Sequence, residues 1–206
     1  MIDPSSIFTG FFVTLGPLKT LAPFAQRTHD VPPATLRQIA LWTFIVATIG
    51  GVAGGLMGRA LLTKWQVSVP ALTLTGGIVF FMVALRQLLE QYEPPRLPVP
   101  SEPLPASPLA AACRLVFPIV LTPYGIAAVI ALLAATEDTA RTVLILALLV
   151  LVLCLDLFAM LFARFILRGF TIIILQVLGA VLAVLQVALS VQFMLLGLRS
   201  LHVLPD

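Results

Sequence analysis

Six long apolar runs divide the chain, over about 5–24, 39–62, 69–89, 109–135, 142–163 and 171–198. Each comes near the roughly 20 residues with which an α-helix crosses the hydrocarbon core of a bilayer. Charged residues fall almost entirely between the runs or at their ends, so the runs carry no broad polar face. A helix that is apolar all round belongs in a large protein core or in lipid. A chain of 206 residues cannot enclose six such helices. The pattern predicts an all-α polytopic membrane protein with six transmembrane helices.

Two of the runs are interrupted. The first contains Gly16-Pro17-Leu18-Lys19-Thr20-Leu21-Ala22-Pro23-Phe24, and the fourth contains Pro118 followed by Thr122-Pro123-Tyr124-Gly125. A proline inside a helix removes one backbone donor and frees the carbonyl a turn earlier. In lipid no water can satisfy that group, and each orphan costs several kcal/mol. Two interruptions at similar depth therefore predict a protein-lined or water-filled cavity. Between the third and fourth runs lies a stretch over 91–108 with seven prolines, which reads as a semi-stiff linker. It separates a first half, 1–90, from a second, 109–206. Each half has three runs, of which the first is broken, and the offsets from Pro17 to Pro123 and from Gly77 to Gly179 are similar. Three crossings per half insert the second copy upside down, so the expected architecture is two inverted three-helix repeats. Discontinuous helices at matching places in such repeats point to the binding site of a transporter.

The second run carries two rows of small residues, Gly50, Gly54, Gly58 and Ala47, Gly51, Gly55, each with a spacing of four. Such rows let a neighbouring helix come close, and packing is the reading we adopt for them.

Composition agrees with the pattern. The chain is 60% hydrophobic and only 10% charged, against about 25% charged in a typical soluble domain. The net charge of +3 is small and scattered, which argues against a nucleic-acid surface. Loops one, three and five and the adjoining run ends hold Arg27, Arg37, Arg86, Arg96, Arg114, Arg164 and Arg168. The opposite side holds Arg59, Lys64, Arg141 and Arg199. The richer side is expected to be cytoplasmic, which puts both termini outside, in the periplasm where the host has one. The start of the chain lacks a basic region and a cleavage site, so its first run is expected to be retained. Trp42, Trp65 and Tyr92 read as interfacial anchors, His29 and His202 as surface residues, and Cys113 and Cys154 as small packing residues. No metal site and no cofactor are expected.

The breaks concentrate the chemistry. Half-helix ends offer bare N–H groups to an anion and bare carbonyls to a cation, an arrangement that suits a zwitterion. Gly16, Pro17, Lys19 and Thr20 of the first break and Thr122, Pro123, Tyr124 and Gly125 of the second are the candidate solute-binding residues. Lys19 either serves the site or snorkels to the interface near Arg27. Thr20 can bond a freed carbonyl or a ligand, and Tyr124 can gate or line the cavity. Asp156 is the one acid well inside an apolar run. It either pairs with Lys19 or Arg164 or acts as a proton- or cation-coupling site. No nucleophile elbow, zinc-protease signature, P-loop or dinucleotide fingerprint is present, so an enzyme is not expected.

The chain resembles the MarC family of bacterial inner-membrane proteins, related to the LysE-type exporters, over nearly its whole length. The resemblance rests on Gly16-Pro17 through Pro23-Phe24 followed by Leu36-Arg37, and on Val67-Ser68-Val69-Pro70-Ala71 with Gly76-Gly77-Ile78-Val79-Phe80-Phe81 and Ala84-Leu85. Pro118 through Thr122-Pro123-Tyr124-Gly125-Ile126, and Leu178-Gly179-Ala180-Val181 with Gly197-Leu198, complete it. The family's two asparagines are replaced here by Gly16 and Thr20, and the glycine between them by Lys19. The resemblance implies an inner-membrane transporter of small neutral amino acids. Two functions are carried forward. One is a secondary transporter, an exporter or exchanger, working by alternating access around the breaks. The other is a non-transporting accessory subunit of a larger membrane complex. The expected partners are the bilayer, a small solute, and either a second copy or a membrane-complex subunit.

Overall fold

The computed structural model describes residues 3–90, 104–105, 107–169, 172–201 and 203. Most of the expected linker at 91–108, including Tyr92 and Arg96, lies outside the described residues, as does His202. Among the described residues every regular element is helical.

The first run is two helices. Helix α1 spans Pro4–Leu15, capped by Asp3, whose carboxylate accepts from the backbone N–H of Ser5. It stops because Pro17 pushes the residue before it out of the helical region; Gly16 is extended, with φ −78° and ψ 175°. Pro17 then opens α2, Pro17–Arg27, at the one helical position where its missing N–H costs nothing. Pro23 does not add a second break, because α2 runs through it to Arg27.

Helix α3 spans Pro33–Trp65 and α4 spans Val69–Glu90. Gln66, left-handed at φ 54°, ends α3, and its N–H bonds back to Leu62 and Thr63. The fourth run comprises α5, Pro108–Leu115, a π-helical turn over Val116–Val120, and α6, Pro123–Ala134. Pro108 therefore starts a helix and does not belong to the linker. Helices α7, Thr139–Gly169, and α8, Ile172–Ser200, follow. At 33 and 31 residues, α3 and α7 exceed the expected runs at both ends. Hydropathy marks only the apolar middle of a helix, whereas α3 continues through Leu36-Arg37-Gln38 into the polar region.

Five segments are long and apolar enough to cross a membrane, and a sixth results if the pair α5 and α6, bent by 72°, is one span. Packing along α3 gives the pair its direction. Residues of α5 cluster with Leu36, Ile39 and Ala40 near the start of α3. Val129, Leu133 and Ile130 of α6 meet Gly55 and Gly58 further along α3. The bent pair thus advances in one direction along α3 and does not double back.

Contacts fix the other directions. Thr20 meets Asp156 and Thr28 meets Arg164, so α2 runs parallel to α7. Gly51 lies against Leu149 and Arg59 against Thr142, so α3 and α7 are antiparallel. Helices α4 and α8 are also antiparallel, and their backbones nearly touch. A β-carbon added at Gly77 would lie 2.9 Å from the backbone nitrogen of Met194, and one at Gly197 would lie 2.9 Å from that of Leu74. Gly77 and Gly197 thus occupy corresponding places in this pair, each against the backbone of the other helix. Helix α8 packs along α4, and α4 in turn joins the remaining bundle chiefly through α6.

The bundle of α1–α3 and α5–α7 is filled by two apolar layers. One holds Phe11, Leu15, Ala47, Leu133, Leu149 and Leu153. The other holds Phe24, Ile39, Ala40, Leu115, Met160 and Ala163. On α3 the layers end at Ala40 and resume at Ala47, and on α7 they end at Leu153 and resume at Met160. The break between α1 and α2 falls in this gap, and the second break borders it, with Val120 and Leu121 belonging to the first layer.

Candidate functional site

The gap is polar. Thr14, Thr20, Thr43, Thr122 and Asp156 are all buried there, inside a region that would otherwise be continuous hydrocarbon and leucine.

The two breaks satisfy each other. The last turn before Gly16 leaves the carbonyl of Thr14 without a helical donor; the Thr122 hydroxyl, from the second break, donates to it at 3.2 Å. The carbonyl of Val120 stands at the corresponding place before the second break, and Lys19 Nζ, from the first break, donates to it at 3.5 Å. Each carbonyl belongs to the residue three before its helix-opening proline. Thr122 Oγ1 also accepts from Lys19 Nζ at 3.3 Å and from the backbone N–H of Gly125 at 3.2 Å, capping α6. One carbonyl before each break is thus met by a side chain from the opposite break.

Lys19 does not snorkel. Its ammonium lies 5.3 Å from the centroid of the Tyr124 ring, a cation–π contact worth about 2 kcal/mol or more when desolvated. The Tyr124 ring stacks on Phe80 of α4 at 4.3 Å between centroids, and Phe193 of α8 lies beyond at 6.4 Å. Tyr124 therefore links the breaks to the α4–α8 pair.

Asp156 is 0% exposed. Its Oδ1 accepts from the Thr20 hydroxyl at 2.8 Å, and its Oδ2 has no partner. Neither of the suggested ion pairs forms. The hydrogen bonds of Lys19 go to Val120 and Thr122. Arg164 is engaged at the end of α2, donating from one nitrogen to the carbonyls of Thr28, His29 and Val31 at 2.9, 3.1 and 2.5 Å. A cation at a helix C-terminus is well placed for those carbonyls.

Glycine is required at two points of the site. A β-carbon at Gly16 would sit 2.0 Å from the Phe12 carbonyl oxygen, and one at Gly125 would sit 2.3 Å from Leu15. Pro17 and Pro123 shape the breaks, but the Pro123 ring is exposed and lines nothing internal.

A model of the MarC family integral membrane proteins matches residues 4–202. The chain belongs to the MarC family. No curated protein and no solved structure matches it. In this MarC family member the second half of each broken span opens on a proline, and the polar groups between the breaks are a lysine, an acid and threonines.

Sequence reading missed three residues of the site. Thr14 enters through its carbonyl, which no side-chain pattern reveals. Phe80 lies in an unremarkable apolar run. Thr43 lies in the gap on α3, 0% exposed, and its hydroxyl has no partner. A threonine in a membrane helix normally bonds its own backbone, so residue type alone did not mark it.

Proposed function

We propose that the chain is a secondary transporter that exports or exchanges a small neutral amino acid, with its site at the two cross-capped breaks. The observation that carries this reading is that a basic and an acidic side chain, Lys19 and Asp156, are buried at the same gap, each with unused bonding capacity. An ammonium has three donors, and Lys19 uses its own on two long contacts. A zwitterion adds no net charge to such a pair, whereas a lone cation or anion would leave an unbalanced charge at low dielectric, where that is most costly. The family's small-amino-acid substrates agree with this chemistry, with Lys19 and Asp156 standing in for the missing asparagine amides.

The helix directions and pairings support two inverted three-helix repeats. Span one against span five is matched by span four against span two, and spans three and six pair with each other. The repeats are interwoven, however, because α4 packs on α8 and α2 on α7. Rocking one repeat against the other would tear both contacts. The moving unit that fits the packing is the α4–α8 pair, swinging against the bundle at the Phe80–Tyr124 stack beside the site. Asp156 is the coupling group, moving its charge as Thr20 repositions. Both termini face the periplasm of a bacterial inner membrane. The glycine rows of α3 give little support to the accessory-subunit reading, because Gly51, Gly55 and Gly58 already pack against Leu149, Val129 and Ile130.

The test is solute flux in proteoliposomes holding the purified chain alone, screened with amino acids with and without proton or sodium gradients. Saturable flux of a small neutral amino acid is expected. Its absence across the panel, together with a stoichiometric partner recovered in mild detergent, would replace this reading with the accessory one.

A further inference from the structure

Thr43 and Thr48 of α3 differ from most other helix threonines in having no hydrogen-bond partner. Thr9, Thr14, Thr28, Thr63, Thr73 and Thr142 each donate to the carbonyl four residues back. Thr43 is fully buried and makes no such bond. Leaving a buried hydroxyl unpaired is costly, so its orientation away from its own backbone calls for a cause. Helix register supplies one. Gly51 of α3 lies against Leu149 of antiparallel α7, and Arg59 lies against Thr142. Following the same register back along α3 and onward along α7 brings Thr43 level with Asp156. Asp156 holds the other unpartnered oxygen of the gap. Both lie between the same two apolar layers, and Thr20, bonded to Asp156, is beside them. Thr48 also lacks a partner, but it sits past Ala47, level with an apolar layer, and is only partly buried.

We infer that Thr43 and Asp156 form the amino-group subsite of the transported solute. The inference rests on the reading of the breaks as a solute site. A primary ammonium donates to Asp156 Oδ2 and to Thr43 Oγ1, the two acceptors left open, while Lys19 faces the solute's carboxylate. Thr43 thus sets specificity for an amine-bearing solute over the corresponding acid. No covalent step is involved.

The experiment measures binding to the purified full-length chain in detergent by ligand-induced thermal shift, using L-alanine, propionate and ethylamine as probes. Thr43→Val and Thr43→Ser are compared with the unaltered protein. Alanine is expected to stabilise the unaltered protein saturably. Thr43→Val is expected to weaken alanine about tenfold, the loss of one hydrogen bond to a charged group, and to leave propionate unchanged. Thr43→Ser restores alanine. Without ligand, Thr43→Val should melt at the same temperature or higher, because it removes an unpaired hydroxyl; a lower melting temperature would assign Thr43 a structural bond and overturn the inference. Equal alanine affinity in Thr43→Val and the unaltered protein overturns the subsite and leaves the transport reading standing. Binding of ethylamine but not alanine, sensitive to Thr43→Val, keeps the subsite and removes the zwitterion. Binding of neither alanine nor ethylamine overturns both.

Discussion

The Lys19 ammonium reaches across the protein to the carbonyl of Val120, 101 positions away in sequence, at 3.5 Å. The contact ties α2 to the end of the π-helical turn, and the same ammonium meets Thr122. Lys19→Met keeps an unbranched side chain of nearly the same length and removes its donors. The Val120 carbonyl is then buried without a partner, at roughly 1–3 kcal/mol, and Asp156 loses its compensating charge. Lower thermal stability in detergent and loss of flux are the expected results. Lys19→Arg should recover part of the stability and little of the flux, since a planar fork does not fit a single carbonyl above a ring. If Lys19→Met were as stable as the unaltered protein, the cross-capping would carry no weight.

Thr122 holds three partners through one oxygen: Thr14, Lys19 and Gly125. Thr122→Val removes the cap of α6 and the donor to Thr14 together. Loss of a cap alone costs about 0.5–2 kcal/mol, and the orphaned Thr14 carbonyl adds to it. Thr122→Ser keeps the hydroxyl and should restore stability. Paired melting curves of the two variants check this, and equal melting temperatures would count against a bonding role.

The breaks were legible at Pro17 and Pro123, where a proline ends one helix and opens the next, although Pro23, inside α2, makes no break. Gly16-Pro17 and Thr122-Pro123 each stop one helix and start the next, and any reading of the sequence finds them. The cross-capping was not legible, since it depends on one carbonyl meeting a side chain about a hundred residues away. Lys19 illustrates the difference. Its position in an apolar run announced a buried or snorkelling charge, but only the packing of α2 against the π-helical turn chose between them. Gly77 illustrates it again: a matching glycine was sought at an equal offset, at Gly179. The close approach at Gly197 was not legible, because it is set by the antiparallel crossing of α4 and α8 and not by spacing along the chain. Thr43 carried no sequence signal at all.

Asp156→Asn preserves the acceptor for Thr20 and removes the charge. Folding and membrane insertion are expected to survive, because the 2.8 Å hydrogen bond can form to the amide oxygen. Gradient-driven uptake into proteoliposomes should be abolished. Exchange of solute at equal concentrations, which needs no coupling, should fall less than gradient-driven uptake. Unchanged gradient-driven uptake would remove Asp156 from coupling.

The α4–α8 pair offers the sharpest test of what moves. Its backbones approach so closely at Gly77 and Gly197 that a β-carbon at either would lie 2.9 Å from a backbone nitrogen of the other helix. Backbone cannot yield as a flexible side chain does, so Gly77→Leu must separate the helices. Overpacking of this kind typically costs 1–3 kcal/mol. If α4 and α8 swing together, Gly77→Leu disrupts the moving unit and should lower flux more than binding. A cross-link within the pair, between cysteines placed at Leu74 and Gly197, should leave flux intact where the variant itself folds. A cross-link from the pair to the bundle, between cysteines at Gly76 and Ala127, should arrest flux, since those positions face each other across α4 and α6. Arrest by the first cross-link and tolerance of the second would instead require α4 and α8 to move apart.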